Sequence, residues 1–290
     1  MNDMHDSRDV RQSHADRDSR GERNGDGVRD SQGERNGDDV RDGSTLELDH
    51  IVVAAATLAE GVAWCARTLG IVPDAGGAHP FMGTHNRIFG IATARFPKAY
   101  FEIIAVDPAA AAPPPARWFG LDEPALQRAL AAGPRLIQWV ARCTDIDAAS
   151  RALCDRGHDP GPAEAASRAT PHGPLRWQIT LRADGRRLCD GAVPVLIEWG
   201  DRHPSQSLPD SGVALAGVTL GGLDESFGTL FGTNIVVARA AARSPRHADL
   251  DADAESAASG SGTDAPPAPL QVVLETPRGV VTLESIRLKD

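Results

Sequence analysis

The sequence lacks the features that would place it in several large classes. Its four cysteines, Cys65, Cys143, Cys154 and Cys189, form no Cys-x-x-Cys pair and no disulfide-rich spacing, so they read as scattered thiols of a reducing compartment. No run of about 18 apolar residues occurs, so no transmembrane helix is expected. The opening Met1-Asn-Asp-Met-His-Asp6 carries no apolar stretch of the kind a secretory signal needs. A cytoplasmic protein without a membrane partner is the expectation. Basic charge is short as well: 30 Lys and Arg stand against 40 Asp and Glu, a formal net charge of −10. That balance argues against nucleic acid and anionic membrane as partners, since both select clustered Lys and Arg.

Aliphatic side chains are almost missing from residues 1–44, which carry a near-perfect duplication, Gly21–Asp30 against Gly33–Asp42. Such a segment cannot bury enough apolar area to offset the entropy of ordering, and it reads as a disordered tail.

Apolar patterning begins at Leu46. Leu46, Leu48 and His50 alternate with Glu47 and Asp49, and the strand then runs apolar through Val53. Thr57 is positioned as a helix N-cap with Glu60 completing a capping box, and Gly70 ends the helix. Ile71–Pro73 suggests a short strand, followed by strands over Thr84–Thr93 and Ala99–Val106. Residues 45–108 therefore read as a βαβββ module. A linker helix occupies 109–134, and residues 135–200 repeat the order, with Asp145 capping a helix that Gly157 stops. Residues 201–290 read as a partial third module or a β-rich C-terminal extension, interrupted by a disordered Ser/Ala/Asp/Gly/Pro insertion at 243–269. The fold class is α+β, with paired βαβββ modules forming a curved mixed sheet around a cleft.

Aligning the two modules pairs His50 with Gln138 on the first strands and Glu102 with Glu198 on the last. The separations are similar, 102 − 50 = 52 and 198 − 138 = 60. A carboxylate within an apolar strand is costly to bury unless paired or coordinating, although a half-exposed strand lets it point outward. One imidazole, one amide and two carboxylates make a mixed N/O set suited to a divalent Zn, Ni, Fe, Mn or Co ion. His85 and Asn86, after Gly83, Arg176 and Trp177 are further candidates for substrate contact. Trp199 is a second aromatic wall, with core packing the competing account of both tryptophans. His79 and His172 lie in Gly/Pro-containing loops and are read as facing solvent.

Leu48-Asp-His50-Ile-Val-Val53, Gly83-Thr-His-Asn86 and Tyr100-Phe-Glu102-Ile-Ile-Ala-Val-Asp-Pro108 resemble the vicinal oxygen chelate superfamily and, within it, the glyoxalase-like domain proteins. The resemblance covers about residues 46–200, and Gln138 stands where the superfamily often has His. It implies a curved sheet around a metal held by His50, Glu102, Gln138 and Glu198. It further implies a lyase or isomerase acting on a small carbonyl or vicinal-oxygen substrate through an enediolate-like intermediate. Glu198 or Glu102 would then be the catalytic base. A small-molecule binder without catalysis is the alternative on the same fold, and a homodimer is the assembly to test.

Overall fold

The computed structural model describes residues 45–113, 116–238 and 267–288. The expected tail 1–44 and nearly all of the expected insertion 243–269 lie outside the described residues.

The first half contributes β1 (Glu47–Ala54), α1 (Leu58–Thr68), β2 (Ala75–His79), β3 (Thr84–Gly90) and β4 (Tyr100–Val106). The connecting segment holds a 3₁₀ turn, Trp118–Gly120, and α2 (Pro124–Leu130). The second half contributes β5 (Arg135–Arg142), α3 (Ile146–Cys154), β6 (Ala163–Arg168), β7 (Leu175–Thr180) and β8 (Val195–Trp199). The capping box at α1 forms: Thr57 Oγ1 accepts from the Glu60 N–H and Glu60 Oε2 from the Thr57 N–H, each at 3.2 Å. Asp145 caps α3 by accepting the Ala148 N–H at 2.8 Å.

These strands make one mixed sheet of eight, in the order β2-β3-β4-β1-β5-β8-β7-β6. At its centre β1 and β5 run antiparallel, with His50 opposite Val140, Ile51 opposite Trp139 and Val52 opposite Gln138. One residue is extra on each strand, Asp49 in β1 and Ile137 in β5, so the two bulges sit symmetrically about the Ile51–Trp139 pair. The halves are thus related by a pseudo-twofold that maps His50 onto Gln138.

Residues 71–74 are coil, not strand, and the second strand is the glycine-rich Ala75–His79. Its sequence has poor β-propensity, and its pairing with β3 and the close approach its glycines permit hold it in place. A Cβ on Gly76 would lie 2.2 Å from the Asn86 carbonyl oxygen, and one on Gly77 would lie 3.0 Å from Arg168 Nη1. Arg168 belongs to the opposite edge strand, so the sheet curls until its two edges nearly meet.

A second sheet, in the order β10-β9-β11-β12, is built from β9 (Ala214–Gly221), β10 (Ile235–Ala238), β11 (Leu270–Thr276) and β12 (Gly279–Glu284). Leu215, Val218, Leu270 and Val272 of this sheet join Ile51, Val53 and Trp139 in one core, together with Cys65 and Leu69 around α1 and Leu153 of α3. The concave side of the large sheet carries a separate core. There Trp118, Phe119, Leu121, Leu126 and Leu130 of the connecting segment pack on Val52, Ile104, Val140 and Ile197. That segment plugs the middle of the bowl and leaves a cavity at each end.

His79 closes the plug on one side. It is buried, edge-on to Trp118 at 5.1 Å and bonded through Nδ1 to Thr84 Oγ1 at 3.2 Å, and does not face solvent as its loop-like sequence suggests. Burial first, then the charges of Arg168, His50 and His85, push its imidazole down to about 3. The unfolded chain titrates this group near 6.5, so between about pH 3 and 6.5 it binds a proton that the folded protein refuses. Stability from this residue is therefore present above that window and lost as pH falls through it. Urea unfolding across this range should show a slope that His79→Gln flattens by up to ~1.4 kcal/mol per pH unit. An identical slope in the variant would remove the assignment. Packing on the other face gives a second expectation. A Cβ on Gly61 of α1 would meet Ile103 Cγ2 at 2.3 Å. Gly61→Ala gains about 1 kcal/mol of helix propensity against about 1–3 kcal/mol of overpacking. Thermal unfolding should show a net loss, and a more stable variant would contradict this packing.

Candidate functional site

The bulge at Asp49 breaks the in-and-out alternation of β1 and brings two adjacent polar side chains to work together. Asp49 is wholly buried. Its Oδ1 lies 2.7 Å from His50 Nδ1, and its Oδ2 takes Trp199 Nε1 at 2.9 Å and His203 Nε2 at 2.9 Å. Burial alone would raise the Asp49 carboxyl. Hydrogen bonds from His203 and His50, together with their charges, outweigh it and hold the group well below the usual carboxylate range. A fixed carboxylate at Nδ1 assigns a proton there, so that the neutral ring turns its Nε2 lone pair towards Glu102. The imidazole stacks on the Tyr100 ring at 4.5 Å and 19°. Burial, then the charges of Asp49 and Glu102, raise the Tyr100 hydroxyl well above its ordinary value, so this wall stays neutral.

His50 Nε2 faces Glu102 Oε2 across 3.6 Å, with both side chains almost fully buried. Glu102 is oriented from behind: Asn86 Nδ2 donates to its Oε1 at 2.6 Å, while Asn86 Oδ1 accepts from the Gly77 N–H at 2.9 Å and Arg168 Nη1 at 3.3 Å. These groups line a cavity at the first-half end of the bowl, walled by Trp118, Phe119, Trp177 and Trp199. Two donors in its lining, Arg168 Nε and Trp177 Nε1, are buried and have no hydrogen-bond partner. Buried unpaired donors cost free energy unless a ligand or water answers them.

Of the residues expected from sequence, His50, Glu102, Asn86 and Trp177 meet in this cavity. His85 points away from it on the alternate face of β3, and Arg176 is exposed on the outer face of β7. Gln138 lines the other cavity, its Nε2 donating to the Trp139 carbonyl at 3.0 Å and the Val193 carbonyl at 2.9 Å. Glu198 accepts the Ile146 N–H at 2.8 Å, at the start of α3. The register explains the last placement. Glu102 stands beside Val52, whose pseudo-twofold counterpart Val140 stands beside Val195. The counterpart of Glu102 is therefore Val195, and Glu198 lies three residues beyond it. A divalent ion held by His50, Glu102, Gln138 and Glu198 does not fit this arrangement. Only the first two converge, and among the described residues no three His, Cys, Asp or Glu side chains are grouped to hold a metal.

Asp49, Tyr100, Arg168, Trp199 and His203 complete the site. An acidic residue directly before a histidine in an apolar strand was the available signal for Asp49. Nothing local marks Arg168 or His203, which arrive from β6 and from the segment after β8.

Compared with curated proteins, the sequence has no significant match. Among solved structures it is similar to methylmalonyl-CoA epimerase from Mycobacterium tuberculosis, at 17% identity over 52% of this chain and 85% of that one, with a TM-score of 0.31. A methylmalonyl-CoA epimerase in complex with methylmalonyl-CoA and NH4+ is 17% identical over 55% and 99% of the two chains, with a TM-score of 0.35. A hypothetical protein from Staphylococcus aureus is 15% identical over 84% and 87%, with a TM-score of 0.41. The family model described as glyoxalase-like domain matches residues 48–229. With that match spanning well over half of the chain, the protein belongs to the glyoxalase-like domain family.

Proposed function

We propose that the protein is an enzyme of the isomerase, epimerase or lyase type that moves a proton on the carbon next to the carbonyl of a small carboxylate. The observation that carries the reading is the Asp49-held imidazole, whose bare Nε2 faces a second, immobilised carboxylate inside a buried cavity. His50 takes the carbon-bound proton at Nε2, and the resulting imidazolium lies between Asp49 and Glu102, which stabilise its charge. Glu102, held by Asn86, can accept that proton from the imidazolium and return it to the carbanion, so a single proton serves the whole cycle. The unpaired donors Arg168 Nε and Trp177 Nε1 bind the substrate carboxylate, and the guanidinium offsets the charge that grows on the carbonyl oxygen. The tryptophan walls exclude water, which strengthens each of these interactions. No step is routed through a metal, because Gln138 and Glu198 are committed to backbone partners elsewhere.

Proton NMR in D₂O with pyruvate and 2-oxobutyrate, two small 2-oxo acids with exchangeable C3 protons, tests the reading. The protein should accelerate loss of the C3 proton signal, and His50→Gln or Glu102→Gln should slow it by about 10²–10⁴-fold. Binding of these acids without exchange would favour the non-catalytic alternative, and exchange unaltered by both substitutions would end the proposal. Incubation with EDTA beforehand should leave the exchange rate unchanged. A rate that falls on chelation and returns with one divalent ion would restore the metal to the site.

A further inference from the structure

The second cavity, at the Gln138 end of the bowl, carries its own unanswered polar groups. It is lined by Gln138, Arg187, Leu181, Val193, Pro194 and Val195, with Trp118 and Phe119 shared between the two cavities. Six buried side-chain polar atoms lack a partner among the described residues, and five of them belong to residues lining one cavity or the other. At this end they are Gln138 Oε1 and Arg187 Nε, while Trp118 Nε1 belongs to a residue that lines both cavities. The chance that such groups gather twice in an otherwise well-satisfied core is small, since buried polar atoms are nearly always paired.

Each group has a defined demand. Gln138 is 1% exposed, and its Nε2 is fixed on the Trp139 and Val193 carbonyls, so the amide cannot flip. Its Oε1 therefore stays an acceptor and requires an O–H or N–H. Arg187 spends Nη1 on the Ile137 carbonyl at 3.2 Å and keeps Nε free. Glu123 and Asp190 act on its charge without an ion pair, and a Cβ on Gly120 would lie 3.3 Å from Arg187 Nε and 2.4 Å from Glu123 Oε1. Its buried Nε donor therefore calls for an acceptor oxygen. Of the three non-glycine residues with positive φ among the described residues, Phe119 lines both cavities, and Cys189 and Asp190 follow the lining residue Leu188. Strained backbone of this kind persists where surrounding structure enforces it, and such places are often ligand sites.

We infer that this cavity is a second small-molecule site, distinct from the His50 cavity, and that it takes a small hydroxycarboxylate. The carboxylate accepts from Arg187 Nε and Trp118 Nε1, and the neighbouring hydroxyl donates to Gln138 Oε1. The pseudo-twofold that maps His50 onto Gln138 explains why the fold offers the space twice. The substitution of an amide for an imidazole makes this end a binding site without a base.

Titration of ¹⁵N-labelled full-length protein with L-lactate and with acetate, read at the tryptophan indole N–H signals, tests the assignment. Trp118→Phe and Trp177→Phe identify the two reporter signals. Lactate should shift both, with Arg187→Gln removing the Trp118 response and sparing Trp177, and Arg168→Gln doing the reverse. Acetate should bind the Gln138 end about tenfold more weakly than lactate, a preference that Gln138→Met should erase, since a site built to bond a hydroxyl rejects an analogue without it. Arg187→Lys keeps the charge but loses the Nε donor, and should weaken lactate at Trp118 by about tenfold while leaving the rest of the spectrum in place. A single midpoint for both signals, lost in Arg168→Gln and untouched in Arg187→Gln or Arg187→Lys, would mean one site and overturn the inference.

Discussion

The arrangement of the first cavity depends on one buried charge. Asp49 sits at zero exposure with His50, His203 and Trp199 all donating to its two oxygens. Taking a carboxylate out of water costs several kcal/mol, which only charge-assisted hydrogen bonds of about 1.5–3 kcal/mol each can offset. Those donors come from three parts of the chain: β1 itself, the end of β8, and the segment that leads to the second sheet. The carboxylate thus ties the second half and the connection to the C-terminal strands to the central strand, while fixing the proton on one nitrogen of His50. Structure and proposed chemistry share a single interaction.

The same symmetry that supplies two cavities also differentiates them. The bulges at Asp49 and Ile137 are equivalent in register, yet one presents a carboxylate and the other an aliphatic side chain. An imidazole beside Asp49 gains a fixed tautomer and a place to hold positive charge. An amide beside Ile137 can only be aimed, and the Trp139 and Val193 carbonyls aim it. The Trp118–Leu130 segment then separates the two ends by filling the bowl between them with apolar side chains. A duplicated fold here yields two unlike environments through single-residue differences at matching positions.

Much of this was legible in the sequence. The repeated βαβββ order, the caps at Thr57 and Asp145 and the choice of His50 and Glu102 as candidates follow from periodicity, capping chemistry and the cost of burying a glutamate. The position of Glu198 was not, because similar separations along the chain do not fix strand register: 57 residues, not 60, separate Gln138 from the counterpart of Glu102 at Val195. Nor was Asp49, since strict alternation puts it beside Glu47 on the solvent side, and only the bulge turns it inward. β2 was hidden by its composition, Ala-Gly-Gly-Ala-His, whose strand geometry rests on β3. Arg168 and His203 enter the site from far along the chain, where no local pattern records the contact.

The central claim is that Asp49 holds the proton of His50 on Nδ1 and leaves Nε2 bare towards Glu102. Long-range ¹H–¹⁵N correlation of the histidine rings measures this directly in the free protein at neutral pH. The expected result is the Nδ1–H tautomer for His50 in the wild-type chain, with its signature lost in Asp49→Asn. A proton found on Nε2 of His50 in the wild-type protein would contradict it.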